Sequence, residues 1–490
     1  MTDAKNESDA ISNAQRIRDL AADQPDGVVL RTIAEDGSEA AFTWPELNER
    51  SDQLAGSLSE RGLGEGDLLA LGLPNSPQFV LAVMAAWKIG AVPVPLRWDI
   101  PAWERSRLLN VIDAPLSLDE SDIEWIDQSA DRSPPKLLDA VSPYVNGICS
   151  SGSTGMPKVV LVDRPSLYEP ERIPPLVENW MSVPHPETIL VMGPMYHTNG
   201  FATLYRLLGG DRLVVMTRFD AKRALDAIER VGVSTFTATP TMLKRIADVP
   251  GIDERDLSSI KWILQGAAPM PPSLMERWIE LVGAEKIVMA YGMTEGLGLT
   301  ALRGDEWMTH RGSVGRPVRD TEIRILDEDG EALPPGEIGD IYLRSPFGGY
   351  RYLGKAPSLR HTEDGFQTVG DLGYLDSEGF LYLVDRRVDL IVSGGANVYP
   401  AEVEAALIDH PEIADVVVIG LRDEEWGRRV HAVIEARLPE SPPDPADVIA
   451  YAKARLAPYK VPKSVEVVER IPRSAATKVN RQALVEERGG

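Results

Sequence analysis

Short apolar strands alternate with helices along most of the chain up to Gly312, and this alternation constrains the fold more than any other property. Leu68-Leu-Ala-Leu-Gly-Leu reads as a buried strand, Pro77 to Ile89 as an apolar helix, and Ala91-Val-Pro-Val-Pro-Leu as a second strand. The pattern returns with strands at Thr188 to Met192, Arg212 to Met216 and Ser234 to Ala238, separated by helical stretches at Phe201 to Leu208 and Ala221 to Arg230. Strand, helix, strand in that order predicts a parallel sheet covered by helices. Upstream, a helix is expected from about Ala14 to Ala22. Another opens at Phe42-Thr-Trp-Pro-Glu-Leu, with Thr43 as N-cap, Glu46 as its reciprocal partner, and Gly62 as the stop.

After Gly312 the texture changes. Glu322-Ile-Arg-Ile-Leu and Asp340-Ile-Tyr-Leu-Arg sit between Asp-Gly and Pro-Pro-Gly turns, which predicts antiparallel β structure. From about Asp389 a compact tail combines a helix at Pro400 to Leu407, strands near Val416 to Ile419 and Val430 to Ile434, and a helix near Pro445 to Leu456. A chain of 490 residues needs more than one core. The expected class is α/β: a large N-terminal domain, 1–387, of helix-covered sheets plus a β-rich subdomain, then a small α+β C-terminal domain, 388–490.

Charge narrows the partners. There are 51 basic and 75 acidic residues, a net charge of −24, so bulk attraction to nucleic acid or an anionic membrane is not expected. An anionic ligand must be held by local donors or a bound metal. The longest strongly apolar run, Phe79 to Trp87, is too short to cross a bilayer. Met1 to Ser8 is polar and lacks a signal-peptide pattern, and Cys149 is the one cysteine, so a reducing cytoplasm is expected. No base stands beside Cys149 in the sequence, and it receives no catalytic role. Six histidines without ligand spacing predict no zinc site.

Three segments carry chemistry. In Cys149-Ser-Ser-Gly-Ser-Thr-Gly-Met-Pro-Lys-Val, the glycines Gly152 and Gly155 let backbone N–H groups converge on an anion. The hydroxyls of Ser150, Ser151, Ser153 and Thr154 donate to its oxygens, and Lys158 brings charge. The spacing is not that of the usual nucleotide-triphosphatase loop, which has four residues between its glycines and a Ser or Thr after its lysine. The second segment, Ala290-Tyr-Gly-Met-Thr-Glu-Gly, places a hydroxyl and a carboxylate together at a strand's end, a pairing suited to a phosphate and its Mg2+. The third joins Val369-Gly-Asp-Leu-Gly-Tyr to Asp385-Arg-Arg-Val-Asp-Leu-Ile-Val-Ser-Gly-Gly-Ala-Asn, where Asp371 can accept from sugar hydroxyls and Arg386 can donate. Taken singly, each is as readily an ordinary loop or a solvated turn.

In this order the blocks resemble the adenylate-forming superfamily of acyl-CoA synthetases, luciferases and peptide-synthetase adenylation domains, over nearly the whole chain. The resemblance implies two half-reactions. A carboxylate attacks the α-phosphate of ATP to give an acyl-adenylate and pyrophosphate, and a thiol, usually that of CoA, then displaces AMP. It also implies roles by position. Ser150 to Lys158 resembles the loop around the β- and γ-phosphates. Gly266-Ala-Ala-Pro (Gly266, Ala267, Ala268, Pro269) and Tyr291, with Gly292 and Met293 beside it, resemble the adenine-binding walls. Thr294 matches the phosphate-contacting threonine, Glu295 the Mg2+ ligand, and Asp371 with Arg386 the ribose-holding pair. Pro472-Arg-Ser-Ala-Ala-Thr-Lys resembles the block whose lysine, here Lys478, contacts the carboxylate and α-phosphate. Ser393, Gly394 and Gly395 resemble the segment lining the thiol's tunnel once the small domain has rotated.

Four positions depart from the family pattern: Val388 at the hinge, Val369 before Gly370-Asp371, Thr477 before the catalytic lysine, and Val159 after the loop lysine. Pro194-Met-Tyr-His-Thr-Asn-Gly-Phe resembles the border of the acyl pocket, with His197 at its mouth. Gly292 stands where short-chain acetyl-CoA synthetases carry a pocket-filling tryptophan. Thr294-Glu-Gly-Leu-Gly-Leu-Thr, Arg303-Gly-Asp-Glu-Trp and Arg311-Gly-Ser-Val-Gly-Arg-Pro look most like the bacterial bile-acid and steroid-acid CoA ligase branch. The expected substrates are therefore a bulky steroid- or terpenoid-like carboxylic acid, ATP and CoA, with Mg2+; medium or long fatty acids and aryl acids stay open as the acid. Three alternatives stay open: transfer to a carrier protein instead of CoA, specialisation in thioesterifying a preformed acyl-AMP, and a binding-only relative. Retention of Lys158, Thr294, Glu295, Asp371, Arg386 and Lys478 argues against the last.

Overall fold

The computed structural model describes residues 10–129, 140–150, 158–170, 175–346, 348–354, 358–386, 389–393, 396–473 and 479–490. The capping box at Thr43 forms: its side chain accepts from the Glu46 N–H, Glu46 answers at the Thr43 N–H, and the helix Trp44–Glu60 follows. The helix Ala221–Val231 shows both ends of the same logic. Asp220 accepts from the Arg223 N–H at its start, and Gly232 closes it at φ 71°, where a side chain would be strained.

The strand–helix alternation forms a parallel sheet, ordered Leu30–Ile33, Arg212–Met216, Thr188–Val191, Thr235–Ala238, Trp262–Gln265 and Ile287–Gly292. Its continuous apolar runs are buried on both faces, as parallel strands under helices must be. Phe236, Trp278 and Trp307 lie in the core beneath one helical layer. From Ile287–Gly292 the sheet turns antiparallel through Leu299–Arg303 and Ser313–Pro317. It runs on into the β-rich part, where Glu322–Leu326 pairs antiparallel with Gly339–Arg344 as expected.

The early strands do not join this sheet. Leu68–Gly72, Val92–Pro95 and Leu116–Asp119 are parallel to one another but make a three-stranded sheet of their own. Their helix Pro77–Lys88 is buried from Phe79 to Lys88 and packs on Trp44–Glu60. A third sheet is an antiparallel hairpin, Gly147–Ser150 and Lys158–Val162, extended by Tyr350–Leu353.

The small C-terminal domain has its own core, built from Ile391, Val398, Val403, Leu407, Ile413 and strand residues such as Val418 and Val430. Its strands run further than expected, Ile413–Asp423 and Gly427–Ala436, because a tight hairpin joins them, and Ser464–Val468 adds a parallel third strand. The helix Pro445–Lys453 ends earlier than Leu456, and a closing helix Arg481–Glu487 was not foreseen. The expected junction, Val388, lies outside the described residues.

Candidate active site

Four parallel strands, Thr188–Val191, Thr235–Ala238, Trp262–Gln265 and Ile287–Gly292, end on one side of the sheet, the edge where open α/β folds bind ligands. The segments that follow them line a cleft of about 2640 Å³ reaching to the C-terminal domain. His197, Gly266, Ala267, Ala268, Pro269, Tyr291, Gly292, Met293, Thr294 and Glu295 all lie on its wall, joined by Lys158 and Asp371. Chain segments far apart in sequence therefore meet in one place.

The wall is built by local devices. Gln265 is buried and its amide donates to the carbonyls of Gly266 (3.3 Å) and Ala268 (2.7 Å), bracing the turn. Ala267 sits at φ 72°, a left-handed conformation that costs energy for a residue with a Cβ and recurs at ligand sites. The 193–195 segment is fastened by Asn75, whose amide donates to the carbonyls of Gly193 (3.0 Å) and Met216 (3.2 Å) and whose oxygen accepts from the Met195 N–H (2.8 Å). A Cβ on Gly200 would collide with the Pro194 carbonyl, so only glycine lets this segment fold back on itself.

On one part of the wall the Tyr291 hydroxyl donates to Oδ2 of Asp371 at 2.7 Å, and Asp371 is only 7% exposed. Arg386 is the cross-strand partner of Asp371. Near Tyr291 in the chain, Thr294 Oγ1 lies 3.2 Å from Thr198 Oγ1. Glu295 Oε1 accepts from the Tyr352 hydroxyl at 2.7 Å, and the Lys158 Nζ stands 5.3 Å from the centre of the Tyr352 ring. Burial, then the Glu295 carboxylate, push the Tyr352 phenol far above its ordinary value, so it remains a donor. Hydroxyls and one carboxylate are hard oxygen donors, a set that fits Mg2+. His197 is half-buried, its ring 4.6 Å from that of Tyr196.

Several expected residues are not brought to the cleft or fall beyond the description. Ser393 ends the strand Ile391–Ser393, is 3% exposed, and is not on the cleft wall. It packs in the C-terminal domain's hairpin, because alternation along that strand turns it inward. Ser150 ends a strand of the hairpin. Ser151, Gly152, Ser153, Thr154, Gly155, Gly394, Gly395, Thr477 and Lys478 lie outside the described residues. Burial pushes the Cys149 thiol up to about 12, which keeps it a protonated, unreactive group at neutral pH. Asn75, Thr198 and Tyr352 escaped the sequence reading, because each acts through a partner distant in sequence; Gln265, whose partners Gly266 and Ala268 are near neighbours, carries no motif that marks it.

One geometric group could pass for a metal site: His185, Glu187 and Asp211 converge. Arg206 already bridges its two carboxylates, at 2.7 Å from each, so the group carries its own cation. Among the described residues no helix is long and apolar enough to cross a membrane.

Comparison with known proteins agrees with this geometry. A family model described as AMP-binding enzyme matches residues 17–353, and one described as AMP-binding enzyme C-terminal domain matches 402–478. The chain is 34% identical to the 2-succinylbenzoate–CoA ligase of Bacillus licheniformis, over 90% of this chain and 94% of that protein. It is 31% identical to the long-chain-fatty-acid–CoA ligase FadD13 of Mycobacterium tuberculosis, over 94% and 95% of the two chains. Among solved structures, it resembles o-succinylbenzoate CoA synthetase from Bacillus subtilis in complex with its acyl-adenylate intermediate, with a TM-score of 0.82, 30% identity, and coverage of 97% and 98%. The same synthetase in complex with ATP and a magnesium ion also gives a TM-score of 0.82, at 30% identity and coverage of 97% and 99%.

Proposed function

The chain belongs to the AMP-binding enzyme family, and from that premise we propose that it is an acid–CoA ligase that works through an acyl-adenylate. The observation that carries this is the convergence on one cleft of Lys158, Tyr291, Thr294, Glu295 and Asp371. In the first half-reaction a carboxylate oxygen of the acid attacks the α-phosphorus of ATP. The bond from that phosphorus to the bridging oxygen breaks, and pyrophosphate leaves. In the second, the CoA sulfur attacks the acyl carbon, the bond to the AMP oxygen breaks, and the thiol proton passes to solvent.

The residues divide the work by position. The 150–158 loop, closing on Lys158, holds the outer phosphates, and Thr294 adds a hydroxyl. Glu295 would hold Mg2+, which when bound would offset the charge of the phosphate oxygens. Gly266 to Pro269 and Tyr291 wall the adenine, and Asp371 with Arg386 holds the ribose. Lys478 brings a cation to the reacting carboxylate and α-phosphate; charge placed where charge develops is usually a large part of catalysis. His197 stands at the mouth of the acyl pocket. Between the two half-reactions, rotation of the small domain about the 388 junction exchanges Lys478 for the Ser393–Gly395 segment at the cleft.

For the acid, we propose a bulky steroid- or terpenoid-like carboxylic acid. Support comes from Gly292, whose lack of a side chain leaves the pocket open, and from the small Ala267 and Ala268 on the same wall. The names of the relatives, a succinylbenzoate ligase and a long-chain fatty acid ligase, favour a second reading with an aryl or long-chain acid.

The test is mass spectrometry of products after incubation with ATP, Mg2+ and steroid, diterpenoid, fatty and aryl acids, each with and without CoA. An acyl-adenylate without CoA that becomes an acyl-CoA with it is the expected result. Thioester formation only from synthetic acyl-adenylates would replace it with the one-half-reaction enzyme. Transfer to a carrier protein in preference to CoA would change the acceptor.

A further inference from the structure

The metal and phosphate end of the cleft contains a residue that no motif there includes. Glu295 lies in the turn after the strand Ile287–Gly292, whereas Tyr352 lies on Tyr350–Leu353, in the separate sheet that carries Lys158. The two sheets are brought together by a close backbone approach: a Cβ on Gly348 would lie 2.6 Å from the Gly296 carbonyl oxygen. Tyr352 is then held in place from several sides. It faces Val160 across the strand pair, its ring meets that of Tyr350 edge-on at 5.0 Å, and the Tyr350 hydroxyl is itself tied to Gln367 at 2.8 Å. From this position its phenol donates to Glu295 at 2.7 Å, and its ring face lies under the Lys158 ammonium at 5.3 Å.

We propose that Tyr352 is a positioning residue for metal-bound nucleotide: its hydroxyl fixes one carboxylate oxygen of Glu295 so that the other is presented to the divalent cation, while its ring orients Lys158. This rests on the reading of Glu295 as the metal ligand. A carboxylate with one oxygen fixed loses less rotational freedom when it takes up a cation. The aromatic face attracts the lysine cation without neutralising it, leaving its charge for phosphate. Tyr352 touches neither reacting atom and acts only through its two neighbours.

Calorimetric titration of the full-length protein tests this directly, with no turnover involved. ATP is titrated with excess Mg2+, and separately in EDTA, into wild type, Tyr352→Phe, Glu295→Gln and the double variant. Phenylalanine keeps the ring under Lys158 and removes only the hydroxyl; unchanged thermal unfolding verifies the fold. Loss of one hydrogen bond to a charged group at a half-buried site should weaken Mg2+-ATP binding about five- to tenfold. Metal-free ATP should bind the variant as it binds wild type. In the Glu295→Gln background the same change should have no further effect on the metal-dependent gain in affinity, since the carboxylate that takes up the cation is gone.

Equal Mg2+-ATP affinity in wild type and Tyr352→Phe overturns the proposal while leaving Glu295 as the ligand. An equal loss with and without metal also overturns it, because the hydroxyl would then support the pocket in general. If Mg2+ does not strengthen ATP binding even in wild type, or Glu295→Gln keeps the full metal effect, the reading of Glu295 fails first and the proposal falls with it.

Discussion

Replacing Gly292 with tryptophan tests where the acyl pocket begins. Gly292 ends a central strand on the cleft wall, and its φ is not in the left-handed region, so the backbone accepts any residue there. The first added atom would meet Leu299 Cδ1 at 3.1 Å and the Gly298 carbonyl oxygen at 3.5 Å. The nearer neighbour is the end of a flexible side chain, which needs to give only a few tenths of an ångström, so the fold should survive. Leu299 and Gly298 line the cleft as Gly292 does, so the indole is added to the cleft wall, and tryptophan carries about 200 Å² of surface. One methylene too many in a pocket already costs about 1–3 kcal/mol, and an excluded ring corresponds to several methylenes. The kcat/KM for a bulky acid should therefore fall by at least about a hundredfold, which is near 3 kcal/mol. Acetate or propionate should be used as well as before or better, and ATP affinity should hold. Competition between acids, followed by mass spectrometry of the acyl-CoA products, gives the ratio directly. Undiminished use of the bulky acid by a folded Gly292→Trp protein would refute the placement of the pocket.

Further outcomes follow from the same structure. Lys478→Ala should abolish acyl-adenylate formation while thioester formation from a synthetic acyl-adenylate survives, as separate assays of the two half-reactions would show. Tyr291→Phe removes a donor from the buried Asp371 and should lower stability by about 1–2 kcal/mol in denaturant titration. Lys88 is fully buried, bound to Asp52 at 2.6 Å and to Asn48, and burial pushes its ammonium down from the ordinary 10.5 to about 8. The unfolded chain then binds more protons between those values. The penalty on the folded state is full below pH 8 and is relieved as pH rises from about 8 toward 10.5, by up to about 3 kcal/mol. Denaturant titrations across that window should show the rise in wild type and not in Lys88→Met; a parallel pH dependence in the two would contradict it.

What the sequence made legible was local. The Thr43 capping box, the apolar run from Phe79 to Trp87 and the short strands on either side of it announce themselves within a few residues, because capping and burial there depend on neighbours in the chain. The hydroxyl- and glycine-rich loop and the Thr294–Glu295 pair were readable as chemistry, and their order along the chain gave the family. Sheet membership was not readable. Leu68–Gly72 has the same apolar character as Thr188–Val191, yet the two strands belong to different sheets. Nothing in the sequence marks Lys88, since its partners Asn48 and Asp52 are supplied by another helix. Asn75 and Tyr352 escaped for the same reason, each making its telling hydrogen bonds across long stretches of chain.

The cleft lies across a seam. Lys158 and Tyr352 belong to the three-stranded sheet, whereas Thr294 and Glu295 follow a strand of the large one. A molecule gripped from both sides acts as a rivet, so occupancy should register as slower amide hydrogen exchange along the strands Lys158–Val162 and Tyr350–Leu353, well beyond the contact at Lys158 itself. An ATP fragment lacking the outer phosphates would grip one plate alone and leave the other free to slide.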